Sequence, residues 1–176
     1  MSAGPWGSRE GGAGEPWAGY GAPTRPANGS RTGLRIGPED LARIRAHGEA
    51  AYPEECCGVL VGRESADQSS ASVERIVAAD NERADSRHNR YVISPQSLLE
   101  AQREARSSGL DIVGYYHSHP DHPARPSEFD REHAWPGTSY VIVSIEKGKA
   151  VDCRSWRLSD DRSAFEEETL GGDRHS

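Results

Sequence analysis

Residues 111–119, DIVGYYHSH, narrow the folds open to this chain more than any other segment does. The apolar start, Ile112 and Val113, predicts a strand buried at the centre of a sheet, and Pro120 ends it. Helix signals stand on either side. Upstream, Ser94 and Pro95 open a helix that carries Leu98, Leu99, Ala101, Gln102 and Ala105 and stops near Gly109. Downstream, residues 126–135, PSEFDREHAW, predict a short helix.

The remaining segments extend this order. LRI, residues 34–36, is short enough for an edge strand, and Gly37, Pro38, Glu39 and Asp40 then mark a helix start, with proline near the first helical position and acids in the first turn. Leu41, Ile44 and Ala51 give that helix one apolar face, which lasts to Tyr52 and Pro53. CGVLVG, residues 57–62, predicts a strand, and SVERIVAAD, residues 72–80, its hairpin partner. A polar segment, NERADSRHN, separates that strand from YVI. SYVIVSIEKG and KAVDCRSWRL predict two strands joined at Lys147 and Gly148, with a last short piece near AFEEETL. The mixture is of the α+β kind, without an internal repeat.

Residues 1–33 are crowded with Gly, Pro, Ser and Arg, and they predict a disordered tail. Residues 34–170 then form one domain of roughly 140 residues, large enough for a single core, with residues 171–176 as a short flexible end. The tail lacks the apolar segment of a signal peptide, and no apolar run reaches the length of about 20 that spans a bilayer. The expectation is a soluble, cytoplasmic protein that does not engage membranes. Three cysteines, two of them adjacent at Cys56 and Cys57, lack C-x-x-C spacing and point to reduced thiols. A formal net charge of −7 argues against a nucleic-acid surface and names no partner.

The end of the central strand carries the chemistry. Alternation along a strand puts His117 and His119 on one face about 7 Å apart, with Ser118 turned away. Two imidazoles at that separation can converge on one zinc ion, whose Zn–N bonds are about 2.0 to 2.1 Å. Ser127 is placed to cap the following helix, and Asp130 lies on its first turn, where it can add an oxygen ligand. Three protein ligands leave a tetrahedral zinc one open position, the mark of a catalytic site. Water there is acidified and needs a base. Glu54 or Glu55, in YPEECCGVLVG, can supply one if their strand lies beside the histidine strand.

The upstream Glu, the HSHP run, seven residues and then S-x-x-D resemble the JAMM motif of metal-dependent MPN-domain proteases, and the likeness runs from about Leu34 to Leu170. The resemblance implies the MPN (JAMM) fold, a mixed curved β-sheet with flanking helices. It implies one Zn²⁺ per chain held by His117, His119 and Asp130. Glu55, two residues after the proline, matches the catalytic glutamate, and Ser127 matches the serine that steadies the oxyanion. The implied activity is zinc-dependent hydrolysis of a peptide or isopeptide bond after the Gly-Gly end of a ubiquitin-like or sulfur-carrier protein. Such a tail could lie along a sheet edge as an added strand. The rival reading is a zinc-binding MPN scaffold without catalysis.

Blander readings suit the other conspicuous residues. His122 and His133 read as solvated, Glu54 as a surface acid, and Cys56 and Cys57 as small buried groups at a strand start. Trp135 and Trp156 read as packing residues before groove residues, while Arg125 is equally a solvated charge or a holder of a substrate carboxylate. A nucleobase deaminase needs P-C-x-x-C after its H-x-E, and an HEXXH protease needs that motif; P-C-x-x-C and HEXXH are both missing.

Overall fold

The computed structural model describes residues 32–81 and 91–171. Within them the order is β1 (Gly33–Arg35), α1 (Pro38–Ala51), β2 (Cys57–Glu64), β3 (Ser70–Ala79), α2 (Pro95–Ser107), β4 (Asp111–Pro120), α3 (Glu128–His133), β5 (Ser139–Glu146), β6 (Lys149–Leu158) and β7 (Phe165–Gly171). The strands close into a barrel in the order β1-β3-β2-β4-β5-β6-β7. β1 runs parallel to both β3 and β7, and β4 runs parallel to β5; the other pairs are antiparallel.

The sheet is mixed, as expected, but its curvature continues to closure. Residues 34–36, expected at an edge, lie instead between β3 and β7. The reason is that both sides of the short strand are paired: the Thr32 N–H donates to the Ser69 carbonyl, the Thr169 N–H donates to the Thr32 carbonyl, and Leu34 is buried in the core. Pairing begins at Gly33 and ends at Gly171, one residue beyond the expected domain limits at each end. The expected disordered tail up to residue 31 and the flexible end from residue 172 lie outside the described residues. The segment YVI forms only an isolated bridge, between Asn81 and Ile93.

Local chemistry accounts for the helices. Pro38 sits in the first turn of α1 with Glu39 and Asp40, favourable beside the positive end of the helix dipole. Ser94 caps α2 by accepting from the Ser97 N–H at 2.9 Å, and Gly109, at φ 64°, ends it. At the predicted β5–β6 hairpin, Lys147 and Gly148 both take positive φ, 49° and 82°.

Two apolar clusters sandwich the central strands. Ile44 of α1 packs with Leu60, Val73, Tyr116, Val141, Val143 and Ile145. Ala101 and Ala105 of α2 pack on Val59 and Val61. Because β2 offers Leu60 to one cluster and its neighbours to the other, it reads as an unbroken apolar run. Gly58 is required at close quarters: a Cβ there would lie 2.2 Å from the Tyr116 ring. β4, between β2 and β5, is held on both sides as far as Ser118 and on the β5 side to Pro120.

Candidate metal centre

His117 and His119 occupy the last turns of the β4 pleat, and their rings share a face with centroids 4.9 Å apart. Their Nε2 atoms lie 3.0 Å from each other. Ser118, on the opposite face, accepts from the Cys56 N–H at 2.9 Å and ties the strand to the start of β2. After Pro120 the chain loops to α3. Ser127 is its N-cap in a full capping box, accepting from the Asp130 N–H at 3.1 Å while its own N–H donates to Asp130 Oδ2 at 2.6 Å. The Ser127 hydroxyl also donates to that oxygen, at 2.7 Å.

This cap turns the Asp130 carboxylate inward. Oδ1 lies 3.1 Å from His117 Nε2, and Oδ2 lies 3.4 Å from His119 Nε2. Ligand atoms from the three residues all fall within 4.8 Å of one another, and all three residues are buried. The His119 Nδ1–H donates to the Pro123 carbonyl at 2.9 Å, which leaves the Nε2 lone pair facing the cluster. Two nitrogen lone pairs and a carboxylate converging this closely call for a cation among them. The donor set of two imidazoles and one carboxylate is one that zinc accepts, so the residues fit the ion.

Glu55 lies two residues before the paired part of β2, where Cys57 is the register partner of His117. It is buried, whereas Glu54 is exposed. Burial pushes the Glu55 carboxyl up to about 8, with His119 pulling it back and Asp130 pushing it further. Burial pulls the His117 imidazole below its ordinary value against the attraction of Asp130. At His119 burial acts in the same direction, but the Asp130 hydrogen bond and charge outweigh it and raise the group. Burial alone would raise the Asp130 carboxyl, yet the two imidazoles hold it well below the usual carboxylate range.

The structure thus brings His117, His119, Asp130, Ser127 and Glu55 to one place, and leaves the secondary candidates outside it. His122 is exposed, and His133 stacks on Phe129 with centroids 3.9 Å apart. Cys56 and Cys57 are buried; burial pushes the Cys56 thiol up to about 11 and raises that of Cys57 too. The Trp156 indole N–H braces the loop before α3 through the Ala124 carbonyl at 2.9 Å, Trp135 is half-buried, and Arg125 is exposed. Two residues at the centre escape sequence reasoning. Tyr91 stacks on His117 with centroids 4.4 Å apart, and the Asn81 amide donates to the Glu55 carbonyl at 3.3 Å. Neither lies in a local pattern with the residue it touches.

The family described as prokaryotic homologs of the JAB domain matches residues 38–159. The chain is 36% identical over 118 residues to a desampylase of Haloferax volcanii, covering 65% of this chain and 81% of that protein. It is 32% identical over 116 residues to the CysO-cysteine peptidase of Mycobacterium tuberculosis, covering 65% and 75%. The solution structure of a Salinibacter ruber protein is similar at a TM-score of 0.65 and 42% identity, covering 81% of this chain and 93% of that one.

Proposed function

This chain belongs to the family of prokaryotic homologs of the JAB domain, and we propose that it is a zinc-dependent metallopeptidase cutting a peptide or isopeptide bond after the Gly-Gly end of a ubiquitin-like or sulfur-carrier protein. The observation that carries this reading is the convergence of His117, His119 and Asp130 beside the buried Glu55. Relatives named desampylase and CysO-cysteine peptidase support the kind of substrate.

In this reading His117, His119 and Asp130 hold one zinc ion. When bound, zinc would polarise the scissile carbonyl and acidify the attacking water. Glu55 acts as the base: its carboxylate takes a proton from that water and passes it to the departing amine. A carboxyl already raised by burial is suited to holding the proton between those two moments. The Ser127 hydroxyl turns from Asp130 towards the oxygen of the tetrahedral carbon and donates to it. No covalent intermediate is involved, and the buried thiols of Cys56 and Cys57 take no part.

The test is zinc content together with hydrolysis. Wild type and Glu55→Gln are purified, their zinc is quantified, and both are incubated with small sulfur-carrier proteins extended beyond Gly-Gly, with cleavage followed by intact mass. Zinc in both forms and cleavage by wild type alone is the expected result. Equal cleavage by Glu55→Gln would reassign the base, and zinc in both without cleavage of any carrier would favour the scaffold.

A further inference from the structure

We propose that Tyr91 is a positioning residue for the metal ligand His117, holding its ring by stacking where the ring of His119 is held by a hydrogen bond. The inference rests on the metal-site reading above and extends it to a residue outside the motif. A histidine that binds metal ordinarily donates its second ring N–H to a carbonyl or carboxylate, which fixes both its tautomer and its ring plane. His119 does so, through Nδ1 and the Pro123 carbonyl at 2.9 Å. His117 does not: it is fully buried, and its Nδ1 has no hydrogen-bond partner among the described residues.

What meets the ring of His117 instead is the phenol of Tyr91, with centroids 4.4 Å apart and planes 25° from parallel. A face contact of this kind blocks rotation of the imidazole about its Cβ–Cγ bond, the motion that would carry Nε2 away from the other donors. It also discriminates between the empty and loaded states. An imidazole that gives its lone pair to a cation becomes electron-poor, and the electron-rich face of a phenol attracts it more strongly. Tyr91 is itself fixed from behind. The N–H of the next residue, Val92, donates to Asn81 Oδ1 at 3.2 Å, while Asn81 Nδ2 donates to the Glu55 carbonyl at 3.3 Å. One amide therefore secures the segment of Tyr91 and the backbone of the candidate base together.

The test compares wild type with Tyr91→Phe, Tyr91→Leu and Asn81→Ala. Zinc affinity is measured by chelator competition, the ligand-field spectrum is recorded on cobalt-substituted protein, and melting of the metal-free forms reports folding. Tyr91→Phe is expected to keep both affinity and spectrum. Tyr91→Leu should bind zinc about 10-fold or more weakly and shift the cobalt bands, and Asn81→Ala should weaken binding in the same direction by less. Wild-type affinity and spectrum in Tyr91→Leu would overturn the proposal. So would a Phe variant as weak as the Leu variant, since the hydroxyl rather than the ring would then be at work. Should Tyr91→Leu fail to fold, Asn81→Ala decides alone: weakened binding upholds the role, and wild-type binding removes it. A wild type that takes up neither metal would sink the metal-site reading itself, an outcome distinct from any loss confined to the variants.

Discussion

From His117 to Asp130 one continuous segment supplies all three candidate metal donors and much of their bracing, whereas the facing wall is gathered from Glu55 before β2, Asn81 after β3 and Tyr91 before α2. The continuous wall is tied by short-range contacts, His119 to the Pro123 carbonyl and Asp130 to Ser127. Such contacts form as soon as the segment takes its local shape. The gathered wall exists only while β2 pairs in register with both neighbours, Cys57 opposite His117 and Cys57 opposite Ala79. The ties of His119 and Asp130 are local, whereas the Tyr91 stack on His117 and the burial of Glu55 depend on the whole sheet. Damage to strand packing should therefore weaken metal binding and turnover together, even where the local ties persist.

The sharpest break is His119→Ala, which takes a donor from the continuous wall. Zinc should fall to background and hydrolysis should vanish, as metal analysis and a carrier-cleavage assay would report; zinc retained at one ion per chain would remove His119 from the ligand set. Ser127→Ala acts on the same wall more gently. Turnover should drop by about 10²-fold through the lost oxyanion donor, and melting should fall by a few degrees because an N-cap contributes about 1 kcal/mol. An unchanged rate with lowered melting would leave Ser127 as a cap alone.

The gathered wall gives a pH-dependent signature. Glu55 titrates near 8 in the folded chain against an ordinary 4.5, so the folded state keeps a proton that the unfolded state releases between these values. Stability of the metal-free protein attributable to this group is thus full below about pH 4.5, falls as pH rises, and is lost above about pH 8. Glu55→Gln stays neutral throughout. Its melting temperature should match wild type near pH 4 and exceed it by about 10 °C or more above pH 8; parallel curves would mean that Glu55 ionises freely in the fold. The smallest effect is expected from removing residues 1–31, which should leave melting and zinc content unchanged. Cutting on through Arg35 would remove β1 and should lower both readings.

Much of this arrangement is legible in the sequence wherever the forces are local. The proline and serine helix starts, the Lys147 and Gly148 turn and the alternating histidines depend on neighbours in the chain. So does the cap that aims Asp130. Glu55 and Glu54 are indistinguishable at that level; only the register of β2 against β4 and the burial of one carboxyl separate them. Barrel closure was hidden for a similar reason. Three residues beginning at Gly33 carry no mark that both of their sides will be paired, because the partners, β3 and β7, lie far along the chain. Tyr91 and Asn81 reach the centre through contacts of the same long range.

β1 also bears on how copies of this protein tolerate one another. An unpaired strand side offers backbone N–H and C=O groups to any extended chain, and is a template for aggregation. β1 covers the first residues of β3 and the last of β7 at once. Beyond its reach, the two strands carry exposed charges, Glu74 and Arg75 on one and Glu166 and Glu167 on the other, of the kind that discourages edge-to-edge pairing. A strand of three residues and a few charges together keep a sheet with strands as apolar as β5 from recruiting its own kind.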